Sequence, residues 1–181
     1  MTEATQTPDP GEDGPDRRDR DAWDLEPDSI ALALQVLAPR TAGMIMREAF
    51  LGTRRFDDFL RRVGVSTGVL SARLRDLVSE GLLEKRPYRE PGARVREEYR
   101  LTDKGRDLVP TLVSLIEWAD HWLVGPEGST VTLRHRGCDE PVRTALMCAA
   151  DHEVTAVRDI VATPGPAARP ARAGSSTTHP G

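Results

Sequence analysis

Phe56-Asp57-Asp58-Phe59-Leu60-Arg61-Arg62-Val63-Gly64-Val65-Ser66-Thr67-Gly68-Val69-Leu70-Ser71-Ala72-Arg73-Leu74-Arg75-Asp76-Leu77-Val78 contains two helical periods parted by a two-residue connection. Phe56, Phe59, Leu60 and Val63 fall at i, i+3, i+4 and i+7, which places them on one helical face. Gly64 stands where a C-terminal cap calls for a residue free to take positive φ. Ser66 is a good N-cap for the second helix, and Leu70, Leu74, Leu77 and Val78 repeat the 3.6 period there. On its opposite side lie Gly68, Ala72, Arg75 and Ser79, with Thr67 and Ser71 beside them. Two short amphipathic helices joined by a tight turn containing glycine form a helix-turn-helix pattern.

Gly81 closes the second helix, and the period then changes from 3.6 to 2. Leu82 to Tyr88 and Arg96 to Leu101 read as two strands of a hairpin, joined by a segment with a Pro91-Gly92 turn signal. Upstream, Asp28 or Ser29 opens a helix carrying Ile30, Leu34 and Leu37 that Pro39 ends, and a further helix runs from about Thr41 to Leu51. Downstream, Thr102 caps a long helix to about Val124, which Pro110 should bend near its start. Leu108, Leu112, Leu115, Ala119 and Trp122 recur along it at steps of 4, 3, 4 and 3, the spacing of a helix that covers its stripe with a partner.

This layout predicts a mainly α (α+β) fold: a winged helix-turn-helix over residues 28–125, ending in a long dimerisation helix. Residues 126–163 read as a small β-rich, ribbon-like extension, with Val131 to His135 and Val142 to Met147 as short strands. Residues 1–27 form an acidic leader, and residues 164–181 a tail of Pro, Ala, Gly, Ser and Thr; both are expected to be disordered because they hold too little apolar surface to offset ordering entropy.

Charge follows the same division. The whole chain carries −4, but residues 1–28 hold 3 basic and 10 acidic groups, residues 29–125 hold 16 and 13, and residues 126–181 hold 6 and 6. The middle is therefore basic and rich in arginine. In a winged helix the second helix of the pair lies in the major groove, where side chains reach base edges. Arg75, Ser71 and Thr67 are the base-edge or phosphate candidates, with Ser66 and Arg73 on the same helix. Gly68 and Ala72 keep that helix slim. Arg54, Arg55, Arg61 and Arg62 flank the first helix of the pair where phosphates are expected, and Arg89, Arg94 and Arg96 belong to the wing.

Other chemistry finds little support. Asp57 and Asp58 are sequence neighbours and do not face each other on a helix, and neither a Gly-rich phosphate loop nor a Ser/His/Asp arrangement occurs. An enzyme is not expected. His135 with Cys138, and Cys148 with His152, have the look of two zinc knuckles, but a dependable site would show four Cys or His at paired spacing. They remain weak metal candidates, and no cofactor is expected. Two cysteines, and an N-terminus without a basic start or an apolar run, leave a reducing cytoplasm as the expected compartment, with no membrane span.

The order of motifs resembles the HxlR-type winged-helix regulators. Phe50-Leu51-Gly52-Thr53-Arg54-Arg55-Phe56-Asp57-Asp58-Phe59, Val69-Leu70-Ser71-Ala72-Arg73-Leu74, Glu80-Gly81-Leu82-Leu83-Glu84-Lys85-Arg86-Pro87-Tyr88, Glu98-Tyr99-Arg100-Leu101-Thr102-Asp103-Lys104-Gly105 and Trp118-Ala119-Asp120-His121-Trp122 carry the likeness, over about Ser29 to Val124. The resemblance implies a bacterial or archaeal transcription regulator that binds double-stranded DNA as a homodimer through its terminal helices. Family members often carry a cysteine before the first helix, where this chain has Asp28-Ser29, and a Gly-x-x-Trp element where it has Ala38-Pro39-Arg40-Thr41. Some relatives add a ribbon of paired Cys-Gly turns, and residues 131–165 are similar to a worn version of it. Trp118, His121 and Trp122 could also line a pocket for a small-molecule effector. The competing expectation is a winged helix that binds a protein and has no specific DNA target.

Overall fold

The computed structural model describes residues 19–89, 92 and 94–171, arranged as two compact units. The larger spans Ile30–Glu153. The smaller joins the described parts of the stretch up to Ser29 and of the stretch from Val154.

In the smaller unit a short 3-10 turn at Arg20–Ala22 leads into β1 (Trp23–Asp24). The larger unit runs through α1 (Ser29–Leu37), α2 (Arg40–Phe50), α3 (Phe56–Val63), α4 (Thr67–Ser79), β2 (Leu83–Tyr88), β3 (Arg96–Leu101), α5 (Asp103–Asp107) and α6 (Val109–Trp122). A 3-10 turn at Val157–Asp159 and β4 (Arg169–Pro170) complete the smaller unit, where β4 pairs antiparallel with β1. Trp23 lies opposite Pro170, and Ala171 N–H donates to the Ala22 carbonyl at 2.9 Å. Paired backbone therefore occurs in two segments whose composition predicted none. The remaining leader and tail residues, 1–18 and 172–181, lie outside the described residues.

The larger unit is built on the two helical periods read from the sequence. Ile45 and Met46 of α2, Phe59 of α3, Leu70, Leu74 and Leu77 of α4, and Leu82 and Leu83 at the start of the wing are all essentially inaccessible to solvent. Burying each such side chain contributes roughly 1.5–3 kcal/mol, so this cluster sets the angle between α3 and α4. Gly64 adopts φ 69° at the end of α3, and Ser66 Oγ accepts the Val69 N–H at the start of α4. Both are the caps the sequence requires. β2 and β3 pair from Leu83–Leu101 to Tyr88–Arg96, so the wing is a regular antiparallel ladder. Gly92 takes φ 79° in its connection, whereas Glu90, Pro91 and Ala93 lie outside the described residues.

Two hydrogen-bonded joints hold the wing to the helices. Thr102 Oγ1 donates to the Gly81 carbonyl at 2.5 Å and accepts the Gly105 N–H at 3.0 Å, capping α5 while gripping the end of α4. At Gly105 the backbones approach so closely that a Cβ would stand 2.2 Å from the Leu82 carbonyl oxygen. The other joint is the Tyr99 N–H, which donates to the Arg54 carbonyl at 2.8 Å.

The long terminal helix departs from expectation in one respect. It is interrupted at Leu108, just before Pro110, and so divides into α5 and α6. Leu112 is buried in the core and so is closed to a partner, whereas Leu108 is half-buried against it. A period of 3.6 does not hold a 3.5-residue stripe on one side: of its members Leu115 and Trp122 are exposed, and Trp118, outside the stripe, is exposed beside them.

Residues 126–153 form no strand longer than a single bridged pair. Single bridges join Arg134 to Pro141 and Met147 to Glu153, closing two tight turns. Asp139 and Asp151, both at φ 60°, turn the chain just beyond the two segments expected as short strands, 131–135 and 142–147, each of which keeps a single bridge.

Candidate nucleic-acid interface

The N-terminal half of α4 presents Ser66, Thr67, Gly68 and Val69 to solvent, followed one turn apart by Ala72 and then Arg75. Burial of Leu70, Leu74 and Leu77 on the other side fixes this rotation. Nothing stands within 4 Å of a Cβ placed on Gly68, so the helix is bare there. Ser71 is half-buried. Arg73 is half-buried too, and its guanidinium is tied to Asp76 at 3.0 Å. Arg75 is exposed, with no ion pair among the described residues. Its charge reaches the wing. The Lys85 ammonium is held above its ordinary value, chiefly by its hydrogen bond to Glu97 and then by Tyr99, while Arg75 acts in the opposite direction.

The loop before α3 brings Arg54 and Arg55 to the base of the wing. Arg55 stacks over the Tyr88 ring at 4.9 Å, and the Arg54 carbonyl is the acceptor for Tyr99. The loop itself is held by Glu48, a buried carboxylate only 5% exposed. Thr53 Oγ1 donates to it at 3.1 Å, Arg47 at 2.8 Å, and Arg62 lies 3.6 Å away. Sequence reading overlooked Glu48 because a carboxylate in an amphipathic helix looks like surface. The nearby Thr53-Arg54-Arg55-x-x-Asp58 run was the only available hint that the turn needed an anchor.

Within the wing several charges neutralise one another: Lys85 with Glu97, Arg86 with Glu84 and Arg100 with Glu98. Arg61 is likewise paired with Asp58. Arg94 and Arg96 are exposed with no ion pair among the described residues, and Arg89 is exposed at the end of β2. Among the described residues of this face, Arg75 on α4, Arg54 in the loop and Arg94 and Arg96 in the wing carry positive charge without an ion pair.

The metal candidates are not assembled. His135 Nδ1 lies 3.2 Å from Cys138 Sγ within one turn, and Cys148 and His152 close the other. Among the described residues no group of three or more His, Cys, Asp or Glu side chains could share an ion. Both cysteines are exposed and free. Backbone N–H groups of Ala150 and His152 hold the Cys148 thiol below its ordinary range. On α6, His121 meets Trp122 edge-on at 4.4 Å.

A family model described as HxlR-like helix-turn-helix matches residues 36–126. The chain belongs to this family. It is a DNA-binding transcriptional regulator with a winged-helix fold. Rv3095 of Mycobacterium tuberculosis, an uncharacterized HTH-type transcriptional regulator, is 40% identical over 142 residues, covering 78% of this chain and 89% of the relative. YvaP of Bacillus subtilis, also an uncharacterized HTH-type transcriptional regulator, is 35% identical over 92 residues, or 50% and 83% of the two chains. Among solved structures, the candidate transcription factor PA1607 aligns at TM-score 0.68 with 32% identity over 76% of this chain and 95% of its own. PA1374 of Pseudomonas aeruginosa, named in the same way, aligns at 0.54 with 32% identity over 76% and 92%. The likeness to Rv3095 is longer than the family match, so it takes in residues outside the winged helix. Among the described residues no single helix is long and apolar enough to cross a membrane.

Proposed function

We propose that this HxlR-like regulator binds a pseudo-palindromic operator as a homodimer. Each protomer lays α4 in a major groove and its wing along the adjoining backbone or minor groove. The observation that carries the reading is the bare, slim start of α4, from Ser66 to Ala72, leading to an exposed Arg75, with no ion pair among the described residues, beside the basic wing. Thr67, Gly68, Ser71 and Arg75 take the base edges, while Arg54, Arg55, Arg89, Arg94 and Arg96 take phosphates. Arg73 serves the helix through Asp76 and makes the smaller contribution.

Two-fold pairing is supported by apolar surface that no described residue covers. Trp118 and Trp122 are 55% and 68% exposed on α6, Leu115 lies beside them, and Ile30, Leu32 and Leu34 are exposed on α1. Half-sites would then fall about 34–36 Å apart, one turn of the duplex. Residues 28–125 form the DNA-binding and dimerising part in this reading, with 126–163 as an appended extension, and a small molecule bound along α6 would adjust how the protomers meet.

Titration of genomic operator fragments by gel shift, at several salt concentrations, tests the groove assignment. Arg75→Ala should weaken specific binding by about 1–3 kcal/mol and relax base preference at one position of each half-site. Unchanged affinity and preference would hand the reading of sequence to another element.

A further inference from the structure

An open groove of about 920 Å³ runs between α6 and the segment Val142–Leu146 of the extension. That segment is anchored at its start and at its middle. The Val142 N–H donates to the Leu133 carbonyl at 2.9 Å, and the Thr144 N–H donates to a Glu117 carboxylate oxygen at 2.9 Å, joined by the Thr144 hydroxyl on the same oxygen. The helix supplies an apolar wall from Val113, Leu115 and Trp118, with Leu146 on the far side. The polar side chains of the lining are Thr111, Ser114, Arg143 and Thr144, the last already bound to Glu117.

The charges at this groove are unequal in their freedom. The Glu117 carboxylate is already engaged by Thr144. Arg143 is exposed at the lip and forms no ion pair among the described residues. An apolar trough of this size with one uncommitted cation is complementary to a compact body carrying a single negative charge. Arg143 can grip a carboxylate by two parallel N–H donors, and an aromatic or acyl body would lie against Trp118 and Leu146.

We infer that the groove between α6 and Val142–Leu146 is a binding site for a small amphipathic monocarboxylate, its anion held by Arg143 and its apolar body by Leu115, Trp118 and Leu146. This gives a chemical class to the effector in the reading above and rests on that reading. Leu115 and Trp118 belong both to this groove and to the exposed stripe assigned to dimerisation, so an occupant touches the surface on which the protomers would meet.

The test uses full-length protein without DNA, so a failure to bind ligand is distinct from a failure to bind operator. Tryptophan fluorescence and calorimetric titrations are run with 4-phenylbutyrate and octanoate, and with their uncharged amides. The expected result is saturable binding of the acids. Arg143→Gln, a surface change that leaves the core untouched, should weaken the acids roughly two- to five-fold and leave the amides unchanged. Flat titrations with both acids overturn the proposal, as does an Arg143→Gln variant that binds acid as the parent does. Binding seen only after dilution dissociates the dimer would assign the groove to a second copy of the chain, and that also overturns it.

Discussion

The helix pair of residues 56–79 and the extension of residues 126–153 make turns by opposite means. In the first, Gly64 and Ser66 shape a connection whose direction is already dictated by Phe59, Leu70 and Leu74 in a common core. In the second, Asp139 and Asp151 take φ 60° and backbone hydrogen bonds close each loop, while almost every side chain remains in water. The first region is specified by burial and the second by local hydrogen bonding. Burial is shared among many residues, so its loss spreads through the unit. A turn fails alone.

That contrast can be broken most forcefully at Leu74. Leu74→Ala should cost about 2–5 kcal/mol through lost transfer energy and the cavity left behind, measured by chemical denaturation. Gly105→Ala comes next. Its new methyl would meet the Leu82 carbonyl, so we expect a loss of about 1–3 kcal/mol, with hydrogen exchange quickening at the wing as well as in α5.

Asp139→Val sharpens the other half of the comparison. A β-branched residue at positive φ should cost about 1–2 kcal/mol, but only locally. Exchange should rise between Leu133 and Val142 while the main melting transition stays in place, and a fall in that transition matching Leu74→Ala would abolish the distinction. The smallest stability effect is expected for Gly68→Ala. With open space around it and an ordinary helical φ, the added methyl should stabilise α4 by up to about 1 kcal/mol. Operator affinity should nevertheless fall, because the methyl stands on the surface assigned to the groove.

The same contrast explains what could be read from residues alone. The helix pair and the wing were legible because their apolar spacing has a period, 3.6 and then 2, and because Gly64, Ser66, Gly81 and Thr102 mark the ends. Leu108 and Leu112 looked equivalent to Leu115 and Trp122 on heptad spacing, and only the break before Pro110 shows which of them the core takes. The extension misled because Val131 to His135 and Val142 to Met147 have strand-like composition, but a strand requires a neighbour along its length. The tight turns at Asp139 and Asp151 leave one bridge each. In the candidate interface the arginines were visible as residue types. Their availability was not, since the pairing of Arg61 with Asp58, of Arg73 with Asp76 and of Arg100 with Glu98 depends on rotamers and rotation about each helix.

The Thr102 hydroxyl grips the carbonyl at the end of α4 with one hand and the first turn of α5 with the other, and Gly105 leaves no gap beneath it. In the proposed dimer, a twist of α6 would have to cross the break at Leu108 before it reached this joint, so α5 is the segment through which protomer pairing would be felt at the end of α4.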